Sequence, residues 1–148
     1  MKIALASDHA AFQLRARLAA RLKEKAHEVL DLGCPSEDSC DYPDFAAAAA
    51  RAVAEGRCER AIVACGTGIG VCMAANKIPG ARAALVHDRF TAQMSREHND
   101  ANILCLGARV LREEEALDLA LFWLTVPFGG GRHARRVGKI SDLDRSPR

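Results

Sequence analysis

Five short, mostly apolar runs recur along the chain: Lys2–Ser7, Glu28–Leu32, Ala61–Ala64, Ala83–Val86 and Ile103–Leu106. Helical spacing fills most of the intervals between them. Near-continuous apolar runs of this length suit strands buried on both faces. After the first run, Leu14, Leu18 and Leu22 stand four residues apart and mark one apolar helical face. Pro43, Asp44 and Phe45 open a helix that an alanine run carries to Glu55, and Gly56 closes it. Arg89–Glu97 reads as another helix. Glu113–Leu124 is a clearer one, with acids in its first turn and Leu117, Leu121 and Leu124 at helical spacing. Parallel strands require a crossover between them, so this alternation specifies an α/β fold: a parallel sheet with helices on both faces.

The 148 residues carry one such pattern and no internal repeat, which predicts a single domain over residues 1–140. Arg132–Ile140 reads as a short basic helix, and Ser141–Arg148 as a frayed polar tail. Net charge is +2, so no global basic surface points to nucleic acid; the basic excess is local, at Arg132, Arg135, Arg136 and Lys139. No apolar stretch approaches the roughly 20 residues that span a bilayer. Asp8 and His9 interrupt the N-terminal apolar run at once, which argues against a signal segment and predicts a cytoplasmic protein without a membrane partner. The six cysteines include no C-x-x-C pair. They are expected to be reduced packing residues and to hold no zinc.

Within this frame one stretch carries chemistry. Cys65-Gly66-Thr67-Gly68-Ile69-Gly70 follows the third apolar run and leads into a helix. Glycines at alternate positions let a backbone turn sharply and approach a ligand closely. Their N–H groups converge at a helix N-terminus, which favours an anion or a developing oxyanion. The same field favours a cysteine thiolate, a base or a nucleophile. Common look-alikes fail: a dinucleotide fingerprint starting at Gly66 needs glycine where Val71 stands, and so does a phosphate loop. A cysteine phosphatase, C-x5-R, would need arginine at the same Val71. The plain alternative is a buried strand-end cysteine in a tight turn. Ligands of parallel sheets bind beyond the carboxyl ends of the strands. The polar outliers Asp8, His9, Cys65, His87 and Arg109 fall at such ends, which weighs against that alternative.

Taken together, Ser7-Asp8-His9-Ala10, Asp41-Tyr42-Pro43, the Cys65–Gly70 loop, Ala75-Asn76-Lys77, Asn99-Asp100-Ala101-Asn102 and Gly131-Arg132-His133 resemble the type B ribose-5-phosphate isomerases. Their wider family also contains galactose- and allose-6-phosphate isomerases. The resemblance runs to about Ile140. It implies a Rossmann-like three-layer sandwich with a five-stranded sheet and a homodimer or dimer of dimers with sites at the subunit interface. It also implies a metal-independent aldose–ketose isomerase of the pentose phosphate pathway, acting through an enediolate without a cofactor. Carried over residue by residue, the proton carrier is Cys65, because the glutamate some relatives place after the loop is Val71 here. Thr67 would assist at a sugar oxygen, and the amides of Gly66, Gly68, Ile69 and Gly70 would stabilise the enediolate. His98 would open the sugar ring. Asp8, His9 and Asn99 would hold substrate, and Arg109, Arg132 and Arg136 would hold its phosphate. Asn76 and Lys77 would shape the loop.

Two rival readings keep parts of this picture. An isomerase of six-carbon sugar phosphates would share the fold and the loop. A non-catalytic sugar-phosphate-binding module would keep the loop and the arginines but have no need of Cys65 and His98. A thiol-redox protein fits least, since no resolving cysteine stands at C-x-x-C spacing.

Overall fold

Each expected strand forms, and the order in which they lie explains where the polar outliers meet. The computed structural model describes residues 1–145. Strands β1 (Lys2–Ser7), β2 (Glu28–Asp31), β3 (Arg60–Cys65), β4 (Ala83–Leu85) and β5 (Ile103–Gly107) form one five-stranded sheet in the order β2-β1-β3-β5-β4. All four pairings are parallel. Helices α1 (Phe12–Glu24), α2 (Tyr42–Ala54), α3 (Ile69–Ala75), α4 (Arg89–Glu97) and α5 (Glu113–Thr125) make the crossovers and outer layers.

Strand residues alternate between two cores. Ile3, Leu5, Ile62, Leu104 and Leu106 point to the side that holds Leu14, Leu18, Leu117 and Trp123 of α1 and α5. Ala4, Ala6, Ala61, Val63, Cys65 and Cys105 point the other way, toward α2 and α3. On that second side the small residues meet small residues: Ala46, Ala49 and Ala50 are fully buried and let α2 lie close to the sheet. Trp123 is the largest fully buried side chain; its indole N–H donates to Ser95 Oγ at 3.0 Å. The result is the three-layer sandwich expected of a Rossmann-like chain.

The switch point of the sheet lies between β1 and β3, where the helix after β1 leaves on one face and the helix after β3 on the other. A crevice opens there beyond the strand ends. Asp8 begins where β1 stops, its N–H donating to Ala64 O at 3.3 Å.

The C-terminal helix departs from expectation. Helix α6 spans Arg132–Leu143 and passes the predicted stop at Ile140. Three residues assigned to the frayed tail are therefore helical, because Ser141 Oγ donates to Val137 O at 3.2 Å and Asp144 accepts the Gly80 N–H at 2.8 Å. Asp144 and Arg145 form a turn beyond it, and the last residues of the predicted tail, 146–148, lie outside the described residues. Helix α6 fully buries no residue against its own chain; His133, Val137 and Ser141 are half-buried on one face.

Gly68 is the tightest point of the βα turn. Its φ is +79°, and a Cβ there would stand 2.5 Å from Leu85 Cδ1 and 2.9 Å from the Leu106 carbonyl carbon. A Gly68→Ala variant is expected to lose about 3 kcal/mol of stability through combined strain and overpacking. Chemical denaturation checks this; a midpoint equal to wild type would contradict the packing described.

Candidate active site

Cys65 is the last residue of β3, with 5% of its surface exposed. The chain then folds back so that Gly68 N–H donates to Cys65 Sγ at 3.1 Å. A donor aimed at sulfur stabilises negative charge there. Thr67, exposed at the tip, accepts the Ile69 N–H at 3.3 Å on its hydroxyl. The amides of Gly68 and Ile69 are thus engaged within the loop, whereas the sequence alone suggested that they face substrate. Gly107 permits the fold: a Cβ there would lie 2.6 Å from Thr67 O. Arg109 N–H donates to Gly66 O at 2.9 Å, and the Arg109 guanidinium lies over Gly66, 3.3 Å from where a Cβ would stand. Val71, the position after the loop, is buried apolar core and offers no proton carrier.

Across the crevice Asp8 is buried and caps the short 3-10 turn His9–Ala11, accepting the Ala10 N–H at 3.0 Å. His9 Nδ1 accepts the Cys40 N–H at 3.2 Å, so Nε2 carries the proton in the neutral ring. This bond ties one end of the Cys34–Asp41 segment to the site. The other end is held by Cys34 N–H to Ser7 O at 3.0 Å and by Arg15, whose guanidinium donates to Cys34 O at 2.8 Å and Ser7 Oγ at 3.1 Å.

The remaining predicted residues are elsewhere. Helix α4 runs back along the sheet, so His98 and Asn99 arrive at its amino edge, where Asn102 O accepts the Ala61 N–H at 3.0 Å. Because β3 has six residues, that edge lies about 16 Å from Cys65. Asp100 and Asn102 shape this turn. Asp100, at φ +45°, accepts from Arg96 at 2.8 Å and Arg82 at 3.0 Å, and Asn102 Oδ1 accepts the Arg82 N–H at 2.8 Å. Helix α6 starts beside them: Gly129 N–H donates to Glu97 O at 3.0 Å, bringing Arg132 and Arg136 to the same edge as His98. Within one chain the predicted residues therefore form two groups, Asp8, His9, Cys65, Thr67 and Arg109 at the carboxyl edge and His98, Asn99, Arg132 and Arg136 at the amino edge. His87 belongs to neither; it ends the outer strand β4 in a groove with Glu115 and Asp118 of α5.

Two features escaped the sequence reading. Tyr42 lays its ring against the loop, 2.6 Å from where a Gly70 Cβ would stand. The Asp41-Tyr42-Pro43 motif was the available signal. Behind the loop the Cys72 thiol is lowered to about 7, chiefly by the neighbouring Cys105 thiol and further by the Leu85 backbone and Asn76, against its burial. Burial pushes the Cys105 thiol well up. All six cysteines are free. Asn76 clamps α3 to β4 through bonds at 2.9 Å to both the N–H and the O of Ala83. Among the described residues, no three His, Cys, Asp or Glu side chains are grouped to hold a metal ion, and no helix is long and apolar enough to cross a membrane.

The family model described as Ribose/Galactose Isomerase matches residues 3–140. The chain belongs to that family. Ribose-5-phosphate isomerase B of Escherichia coli is 42% identical over 143 residues, which cover 97% of this chain and 96% of that protein. Among solved structures, Clostridium thermocellum ribose-5-phosphate isomerase B has a TM-score of 0.96 at 51% identity over 98% of each chain. Ribose-5-phosphate isomerase B from Mycoplasma genitalium, solved with bound ribulose-5-phosphate, has a TM-score of 0.95 at 40% identity, covering 99% of this chain and 97% of that one. The Rossmann-like reading of the fold and the family read from the motifs both hold for this isomerase.

The thiol pair behind the loop gives a direct check on the electrostatics of this isomerase. In Cys105→Ala the leading group that depresses Cys72 is gone, so the Cys72 midpoint should climb from about 7 toward the ordinary 9.0. Thiolate ultraviolet absorbance, taken as a difference against Cys72→Ser in each background, reads this; a midpoint unchanged near 7 would refute the assignment.

Proposed function

We propose that this isomerase interconverts ribose 5-phosphate and ribulose 5-phosphate through an enediolate, at a site completed by a second copy of the chain. The observation that carries the reading is Cys65 at the switch crevice with an amide donor on its sulfur at 3.1 Å. Cys65 as thiolate takes the proton from C2 of the open-chain aldose; the electrons move to the carbonyl oxygen and leave an enediolate. The O2 hydroxyl proton passes to O1, and the thiol then gives its proton to C1 as the electrons on O2 form the C2 carbonyl, giving the ketose and restoring the thiolate. The unengaged amides of the loop and the Thr67 hydroxyl stabilise the developing charge. Asp8 and Asn99 hold sugar hydroxyls, and His9, Arg109, Arg132 and Arg136 meet the phosphate.

Ring opening and phosphate binding require residues that one chain keeps about 16 Å away from Cys65, at the far end of β3. A homodimer in which His98, Asn99, Arg132 and Arg136 of the partner subunit face Cys65 removes this distance. Surface character supports it: Ile69 and Met73 on α3 and Ile140 and Leu143 on α6 are exposed apolar residues beside the two half-sites. The relatives named as sugar-phosphate isomerases support a cytoplasmic setting for this reaction.

Ribulose 5-phosphate formation is expected to persist with a chelator present and to fall about 10²- to 10⁴-fold in Cys65→Ala. Full activity in that variant would remove Cys65 as the proton carrier. Replacing Arg132 or Arg136 by alanine should raise KM about tenfold or more, as loss of a charge-assisted bond does; unchanged KM in both would remove their phosphate role. Finally, Cys65→Ala and His98→Ala chains, each inactive alone, should regain part of the lost turnover when mixed and allowed to exchange subunits. No recovery in demonstrated mixed dimers would place both residues in one chain's site.

A further inference from the structure

His98 and His133 lie face to face, with ring centroids 4.1 Å apart and planes 10° from parallel. The three-glycine turn before α6 creates this stack. Gly130 and Gly131 take positive φ of +62° and +53°, and Gly129 lies so close to the end of α4 that a Cβ would stand 3.0 Å from Glu97 O. The two rings meet opposite helix ends. His98 caps the C-terminus of α4, its N–H donating to Met94 O at 2.9 Å. His133 is in the first turn of α6. Negative partial charge therefore faces one ring and positive partial charge the other.

We propose that His133 is a positioning residue for ring opening, which stacks on His98 to fix its plane and, as a like charge beside it, limits the pair to one proton. The proposal rests on the reading of His98 as the ring-opening group. Two like charges at this separation disfavour each other, so the imidazoles do not both protonate. The charged neighbours decide which one does. From α6, Arg132 and Arg136 disfavour charge on His133; from α4, Glu97 favours it. Asp100, in the turn between α4 and β5, is committed to Arg82 and Arg96. The His133 midpoint is lowered, first by partial burial, then by His98 and the two arginines. A phosphate dianion bound at Arg132 and Arg136 offsets their repulsion and lets the pair keep its proton when substrate is present.

The step this serves balances without a co-reactant. As the C1–O4 bond of the furanose breaks, the His98 imidazolium gives its proton to O4. The anomeric hydroxyl returns one to the imidazole as the aldehyde forms. A ring free to tilt would lose alignment with O4, which typically costs a factor of ten or more.

The test combines titration and kinetics. In proton NMR of the intact protein, His133 should titrate below 6.5, and its midpoint should rise in His98→Phe. Inorganic phosphate should raise it in wild type. A His133 midpoint that His98→Phe leaves in place would overturn the shared proton. In kinetics, His133→Ala should lower kcat about tenfold with KM nearly constant, while His133→Phe, which keeps the stack, should recover most of kcat but flatten the acid limb of its pH profile. Equal kcat in the two variants, or a rise in KM alone, would overturn the positioning role. The titration needs no substrate, so it judges the pair even if His98→Ala retains full turnover, a result that would count against the ring-opening reading itself.

Discussion

The position of β3 between β1 and β5 governs the rest of this protein. Parallel pairing on both sides aligns Ser7 with Ala64 and Cys65 with Gly107, so three strand ends stop at one level and their loops share one crevice. Gly107 and Gly68 then let the Cys65 loop fold flat over the end of β5, where any side chain at either position would meet backbone within 3 Å. The sulfur, its amide donor and the Arg109 guanidinium are consequences of that close approach. The sulfur and its amide donor are held by backbone, a stiff way to fix a side chain in place.

The same parallel arrangement imposes a cost on the site. A parallel sheet returns every helix to its opposite edge, so a residue after a helix cannot stand beside a residue after a strand. His98 and Asn99 follow a helix, and Cys65 and Asp8 follow strands. The chain cannot bring these groups together by itself, and a helix, α6, that fully buries no residue against its own chain lies beside the far group. The proposed sharing of the site between two copies would account for both facts at once, with the length of the strands as the reason that a second subunit is needed.

Charge is handled differently at the two edges. At the carboxyl edge, Arg15 secures the base of the Cys34–Asp41 segment and Asp8 caps a turn. At the amino edge, Arg82 and Arg96 converge on Asp100 and neutralise one another's surroundings. Arg132 and Arg136 remain exposed, available to an anion. The stacked histidines sit between these arginines and the end of α4, where small changes in nearby charge decide where a proton resides.

The strands and helices, the loop at Cys65 and the family were legible from sequence because each depends on local pattern: apolar runs, capping residues and glycine at fixed offsets. Gly107 carries no signal of its own after the fifth apolar run, and Tyr42 stands only as part of a motif, because their importance lies in what folds against them. The length of α6 was also missed, since Asp144 is anchored by Gly80, far away in sequence. The amino-acid sequence by itself determined which residue types carry chemistry and that a parallel sheet would present some of them together. Tertiary structure alone decided that His98, Asn99, Arg132 and Arg136 stand at the opposite edge from Cys65. Strand order and helix direction set that separation, and both are properties of the assembled sheet rather than of any stretch within it.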